Sequence, residues 1–104
     1  MIKYEICVEV HPDIFEQYMK WLDGHAGKLL GIEGFLRAEV LTLIQSGPAQ
    51  WKRIKVDYYL KNYLAYQSYL EHHAVLMRSE VPDDFKGFYS IERNVYEISE
   101  IIRK

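Results

Sequence analysis

Trp21 and His25 stand one helical turn apart in F-E-Q-Y-M-K-W-L-D-G-H, and a second helical stretch carries Tyr66 and His73. Tyr58 joins them from the preceding strand, on the side that alternation turns toward the helices. An imidazole exchanges a proton near neutral pH, a phenol orients a carbonyl or enol, and an indole supplies an apolar wall. If the five converge between helices and sheet, they outline a site for proton transfer or cofactor-free oxygenation. His25 is then the catalytic acid or base, and Trp21, Tyr58, Tyr66 and His73 are the ligand-binding groups. The same residue types also line the rim of a small two-layer core, with the ring packed and the polar tip in water. Core packing is the favoured reading for Trp21 and His73, and capping of helical carbonyls for His25.

Other chemistry finds less support. His72 and His73 diverge by about 100° on a helix, so they cannot serve one pocket. Only His25 and His73 could meet at a metal, without an inward carboxylate, so no metal or other cofactor is expected. Cys7, the single cysteine, falls on the polar side of strand one as an inert small hydrophobe. Glu92 and Arg93 either bind an anion or pair with each other, and surface pairing is preferred. Gly24, Gly27, Gly31 and Gly34 do not follow a strand in the order a phosphate loop requires.

The elements that position these residues follow from periodicity. Ile2, Tyr4, Ile6, Val8 and Val10 alternate with Lys3, Glu5, Cys7, Glu9 and His11, a strand that Pro12 ends. Asp13 and Glu16 have capping-box spacing at the start of a helix whose inner stripe is Ile14, Tyr18, Trp21 and His25. The glycine-rich segment to Glu33 is a kinked helix, a second short helix or a loop. Strand two starts at Phe35, with Leu36, Ala38, Val40 and Thr42 on one side and Phe35, Arg37, Glu39 and Leu41 on the other. A turn at Ser46-Gly47-Pro48-Ala49 leads into strand three, where Ile54, Val56, Tyr58 and Leu60 oppose Arg53, Lys55, Asp57 and Tyr59. Asn62 caps a helix running to about Arg78, with Tyr63, Tyr66, Leu70, His73, Ala74 and Met77 inward. Pro82 closes the helix, and a last strand falls within Phe88 to Ile102.

That order, β-α-β-β-α-β, predicts an α+β ferredoxin-like sandwich: one domain over 1–104, with a four-stranded antiparallel sheet and two helices on one face. The open face mixes charges with Phe35, Leu41, Leu43, Trp51 and Tyr59. Such bulk predicts a homodimer formed through that face. A formal charge of −2, from 13 bases and 15 acids, gives no field for nucleic acid. Lys3, Glu5 and Glu9 interrupt the N-terminal apolar run, so no membrane span or targeting segment is expected. The lone cysteine fits a reducing cytoplasm.

The opening M-I-x-Y-E, the D-I-x-x-x-x-x-x-W-L and His25 region, V-D-Y, Y-L-E-H-H-A-V-L-M-R-S-E and F-K-G-F-Y-S-I-E-R together resemble the domain of unknown function family 4286. The resemblance implies a dimeric α/β barrel, in which two ferredoxin-like units pack sheet to sheet. The wider group with that architecture includes cofactor-free monooxygenases, small isomerases, haem-degrading enzymes and members without catalysis, and fold does not choose among them. Strand one has no asparagine, which counts against haem degradation by an Asn, Trp and His acting together. Two readings follow. The preferred one is a homodimer that binds a small apolar or aromatic ligand, or a protein partner. The alternative is a cofactor-free monooxygenase or isomerase-like enzyme with His25 as its acid or base.

Overall fold

In the computed structural model, which describes residues 1–44 and 51–104, the N-terminal alternation forms β1 (Ile2–Val10). Ile2, Tyr4, Val8 and Val10 are buried on one face, while Lys3, Glu5, Cys7 and Glu9 occupy the other. Pro12 opens a 3-10 turn (Pro12–Ile14), and α1 (Phe15–Leu30) follows. The expected Asp13–Glu16 capping box does not form, because that extra turn carries the helix start past Asp13. Instead His11 Nδ1 accepts the Asp13 backbone N–H at 3.0 Å. Gly24 and Gly27 lie within α1 without breaking it. The chain turns only at Gly31–Gly34, where Gly34 has φ +95°.

β2 (Phe35–Thr42) and β3 (Lys52–Leu60) pair antiparallel, with a bulge at the start. Phe35 faces Leu60 and Arg37 faces Tyr59, so Leu36 is the extra residue. The bulge corrects the expected facing of two side chains. Phe35 turns into the core, 5.8 Å from Tyr58 and 5.3 Å from Tyr69 between ring centroids, and Leu36 is left outside. The turn expected at 46–49 lies outside the described residues.

Asn62 caps α2 (Tyr63–His72) as expected, its side-chain oxygen accepting the Ala65 N–H at 2.9 Å. The helix then breaks at His73 (φ −131°) and restarts as α3 (Ala74–Ser79). The buried residues are Ala65, Tyr66 and Tyr69 in α2, and Ala74 and Met77 in α3, whereas Tyr63, Leu70 and His73 are exposed. A 3-10 turn (Asp83–Phe85) leads to β4 (Tyr89–Glu97), shorter than expected.

The sheet runs β2-β3-β1-β4, antiparallel throughout, so β1 and β3 are central and the fold is ferredoxin-like. The core between this sheet and the helices contains Tyr4, Val56, Tyr58 and Leu60 from the strands and Tyr18, Leu29 and Tyr69 from α1 and α2, all almost fully buried. Each such Leu or Val contributes about 1.5–3 kcal/mol of burial, and the larger tyrosines must also place a hydroxyl. No helix among the described residues is long and apolar enough to cross a membrane.

Candidate functional site

Helix α1 turns Tyr18, Leu22, Ala26 and Leu29 onto the sheet, which leaves Trp21 and His25 half-buried on its flank. Their rings stack with centroids 4.6 Å apart and planes 21° from parallel. Trp21 also meets Tyr18 at 5.5 Å and Phe85 at 6.3 Å, both edge-on, so the 3-10 turn before β4 closes over it. Nδ1 of His25 is buried without a hydrogen-bond partner. Burial lowers the pKa of this imidazole below its ordinary 6.5; Glu80 opposes that shift and Lys28 adds to it. Lys28 and Glu80 themselves pair at 3.1 Å, joining α1 to the end of α3. His25 is therefore a neutral ring at pH 7, able to accept or relay a proton.

A second cluster lies around Tyr4. Its ring is 5.5 Å from Tyr66, 5.8 Å from Tyr69 and 6.1 Å from Tyr58. Burial is the main force pushing the Tyr58, Tyr66 and Tyr69 phenols upward, so they stay neutral donors. The hydroxyl of Tyr58, a residue with 0% exposure, has no partner. Two arginines complete the cluster. Arg78 on α3 donates from Nη2 to the Tyr4 hydroxyl at 3.1 Å. Arg93 sits opposite Ile6 in the β1–β4 register, which sets it on the helix-facing side, and its Nε is buried without an acceptor. Glu92 sits opposite Cys7 on the other side of the sheet, so the expected Glu92–Arg93 pair does not form. Among the described residues neither arginine is paired with a carboxylate.

The five candidates from the sequence thus divide. Trp21 and His25 form one unit, and Tyr58 and Tyr66 belong to the phenol cluster. Tyr18 connects the two, touching Trp21 and contributing to the upward shift of Tyr58. His73 joins neither. It occupies the junction of α2 and α3, where the helix break rotates its side chain to the surface, and its expected inward position is corrected. Tyr4, Tyr69 and Arg78 were not among the candidates, and Arg93 was considered only as an anion binder or, preferably, a surface partner of Glu92. For Arg93 the signal was available: in Tyr89, Ile91, Arg93 and Val95 it shares the parity of residues that face the helices.

The opposite sheet face carries a grid of ion pairs. Lys55 meets Glu5 at 2.9 Å and Asp57 at 3.5 Å; Lys3 meets Asp57 at 3.2 Å and Arg53 meets Glu9 at 2.8 Å. The Lys55 hydrogen bond holds the Glu5 carboxyl below its usual range. Asp57 is only 2% exposed although its strand face has no covering layer. Leu36, Leu41, Leu43 and Tyr96 are exposed at the margins. A groove of about 760 Å³ runs past Cys7, Leu41, Leu43 and Lys55, and another of about 620 Å³ past Leu36, Tyr59, Ile98 and Ile101.

The family described as a domain of unknown function, DUF4286, matches residues 1–99. The chain belongs to this family. No curated protein matches the sequence. Among solved structures, this DUF4286 member is similar to SnoaB from Streptomyces nogalater, described as a cofactor-independent oxygenase. The TM-score is 0.70 at 10% identity, over 99% of this chain and 97% of that one. A dimeric ferredoxin-like protein from an uncultured marine organism aligns with a TM-score of 0.69 at 16% identity, over 99% and 100% of the two chains. The haem degrader MhuD from Mycobacterium tuberculosis gives 0.70 at 12% identity, again over 99% and 100%. At such identities the likeness establishes the shared ferredoxin-like fold of the DUF4286 chain and leaves chemistry to its own residues.

Proposed function

We propose that this DUF4286 chain forms a homodimer through the open faces of its two sheets, and that each copy binds a small apolar or aromatic ligand between its helices and its sheet. The observation that carries the ligand reading is that three of the buried polar atoms without partners, His25 Nδ1, Tyr58 Oη and Arg93 Nε, lie on the helix side of the sheet, near the aromatic rings, whereas a fourth, Asp57 Oδ1, lies on the open face. Buried polar groups are almost always satisfied, and a ligand is one group that would satisfy these. Trp21, Tyr58 and Tyr66 supply the rings; His73, the remaining sequence candidate, is exposed and is left out of this reading.

Dimerisation is supported by the exposed Leu36, Leu41 and Leu43 beside the ion-pair grid, and by the marine relative of the same fold, which is described as dimeric. The grid itself adds little while exposed and gains strength once a second sheet excludes water.

One observation favours a second reading, cofactor-free oxygenation or isomerisation with His25 as acid or base. His25 is held neutral by burial, stacks on Trp21 and keeps one ring nitrogen free. SnoaB, of the same fold, is described as a cofactor-independent oxygenase.

The test is thermal unfolding of wild type and His25→Ala with a library of small aromatic acids, phenols and quinones. A compound at about 100 times its Kd adds about 2.7 kcal/mol to the folded state. The ligand reading expects at least one compound to raise the wild-type Tm, with a smaller rise in His25→Ala. No rise with any compound contradicts it. Turnover of a hit that vanishes in His25→Ala selects the enzymatic reading.

A further inference from the structure

We infer that, in the sheet-to-sheet homodimer, the segment after β4 (98–104) is an arm that lies in the second copy's groove beside Cys7, Leu41 and Leu43, with Arg103 against the partner's Glu92. The inference rests on the dimer reading above and adds which ends of the two sheets meet.

The two grooves of the open face lie at opposite ends of the strands. Ile2 pairs with Leu60 and Glu97, and Val10 with Lys52 and Tyr89, so Met1, Leu36 and Tyr59 mark one end, and Glu9, Leu43 and Ser90 the other. At the first end the Ile98 N–H donates to the Met1 carbonyl at 2.8 Å. The chain then leaves the line of β4, because Ile98, Ile101 and Arg103 line a groove together with Leu36, Arg37 and Tyr59 of β2 and β3. To reach those strands from β4 it passes the end of β1. Tyr59 and Arg37 pair with each other and point to the open side, so the segment stands on the very face that a second sheet would cover. It must therefore take part in that contact. Its adjacent Ile101 and Ile102 are 60% and 84% exposed in the single chain, apolar surface that gains by burial.

Charge decides what the arm meets. In the groove at the far end, Glu9 pairs with Arg53 at 2.8 Å and Lys55 with Glu5 at 2.9 Å. Glu92, which also lines it, has no ion-pair partner among the described residues, and neither do Arg103 and Lys104. In the arm these two bases outnumber Glu100. A two-fold axis running along the strands would set arm against arm and each Glu92 beside the other, a like-charge arrangement at both ends. An axis running across the strands sets each arm over the second copy's groove. Arg103 then meets the partner's Glu92 twice, as isologous symmetry requires, and Leu41 and Leu43 supply an apolar bed for Ile101 and Ile102.

Two experiments on the full chain test this. The first is sedimentation equilibrium of wild type, Glu92→Arg, Arg103→Glu and the double reversal, with circular dichroism to check folding. Each single reversal should weaken the dimer at least about tenfold, since the contact occurs twice, and the double reversal should recover most of the loss. Single reversals without effect, or a double reversal without recovery, overturn the Arg103–Glu92 contact. The second uses a Cys7→Ser chain carrying Leu43→Cys, Ile102→Cys or both, treated with a short bismaleimide. Positions 43 and 102 lie at opposite ends of one sheet, so a link between them joins two copies. The inference expects a covalent dimer on a denaturing gel from the chain with both cysteines and monomer from either single variant. A covalent dimer from either single variant brings like ends together and overturns the arrangement. If the doubly substituted chain gives no link while wild type sediments as a dimer, the arm placement is overturned and the dimer reading stands. Wild type that sediments as a monomer at every concentration overturns both. Should Glu92→Arg fail to fold, the cross-linking result decides.

Discussion

Trp21 and His25 lie face to face at 4.6 Å on the flank of α1, and the buried nitrogen of the imidazole has nothing to bond. Burial lowers the pKa of His25 in the folded protein, so the unfolded chain takes up its proton at higher pH. Stability from this group is therefore full above the unfolded value near 6.5, and is lost as pH falls through that value toward the folded one. Urea unfolding of wild type at pH 7.5 and 5.5 should show the loss. His25→Gln, which cannot titrate, should show a smaller fall over the same interval; an identical fall would place the effect elsewhere.

Glycine positions separate by geometry. At Gly34, with φ +95°, an added Cβ would lie 2.5 Å from the Ala65 Cβ, so Gly34→Ala should destabilise by about 2 kcal/mol or more. Gly24 and Gly27 lie inside α1 with nothing within 4 Å of an added Cβ. Ala at either should stabilise by about 0.5–1 kcal/mol. Urea midpoints at constant m-value decide all three.

The dimer reading makes Leu41 and Leu43 interface residues. Sedimentation equilibrium of wild type at micromolar concentration should give twice the chain mass of 12.4 kDa. Leu41→Lys with Leu43→Lys should give the monomer mass without loss of helical circular dichroism, because both side chains are already exposed in the single chain. A wild-type monomer at all concentrations refutes the reading.

Much of the fold was legible because alternation and capping are local. Ile2–Val10, the parity of Lys52–Leu60 and the Asn62 cap all stand as residue spacing implies. What failed depends on contacts between distant residues. The bulge at Leu36, which sends Phe35 into the core, is set by pairing with β3. α2 buries Tyr69 in place of Leu70 and brings Ala65 against Gly34, a contact that helical spacing alone does not specify. The backbone break that exposes His73 has no signature in the helical spacing around it. Trp21, His25, Tyr58 and Tyr66 could be chosen by residue type, but not their division into two clusters joined by Tyr18. The surface pairing expected for Arg93 failed for a different reason. Glu92 beside it in sequence offered an obvious partner, and strand alternation sends the two to opposite faces.

The central claim is that a ligand enters between helices and sheet, and Trp21 is placed to report it. The chain has two tryptophans, and Trp51→Phe leaves Trp21 as the sole emitter. Titration of that variant with the library of small aromatic acids, phenols and quinones, followed by Trp21 emission and by Tm, is the most direct measurement. The account predicts, for at least one compound, a saturable change in emission together with a rise in Tm that follows the same binding curve. Emission and Tm that stay flat across the whole library, in a variant that remains folded, would contradict it.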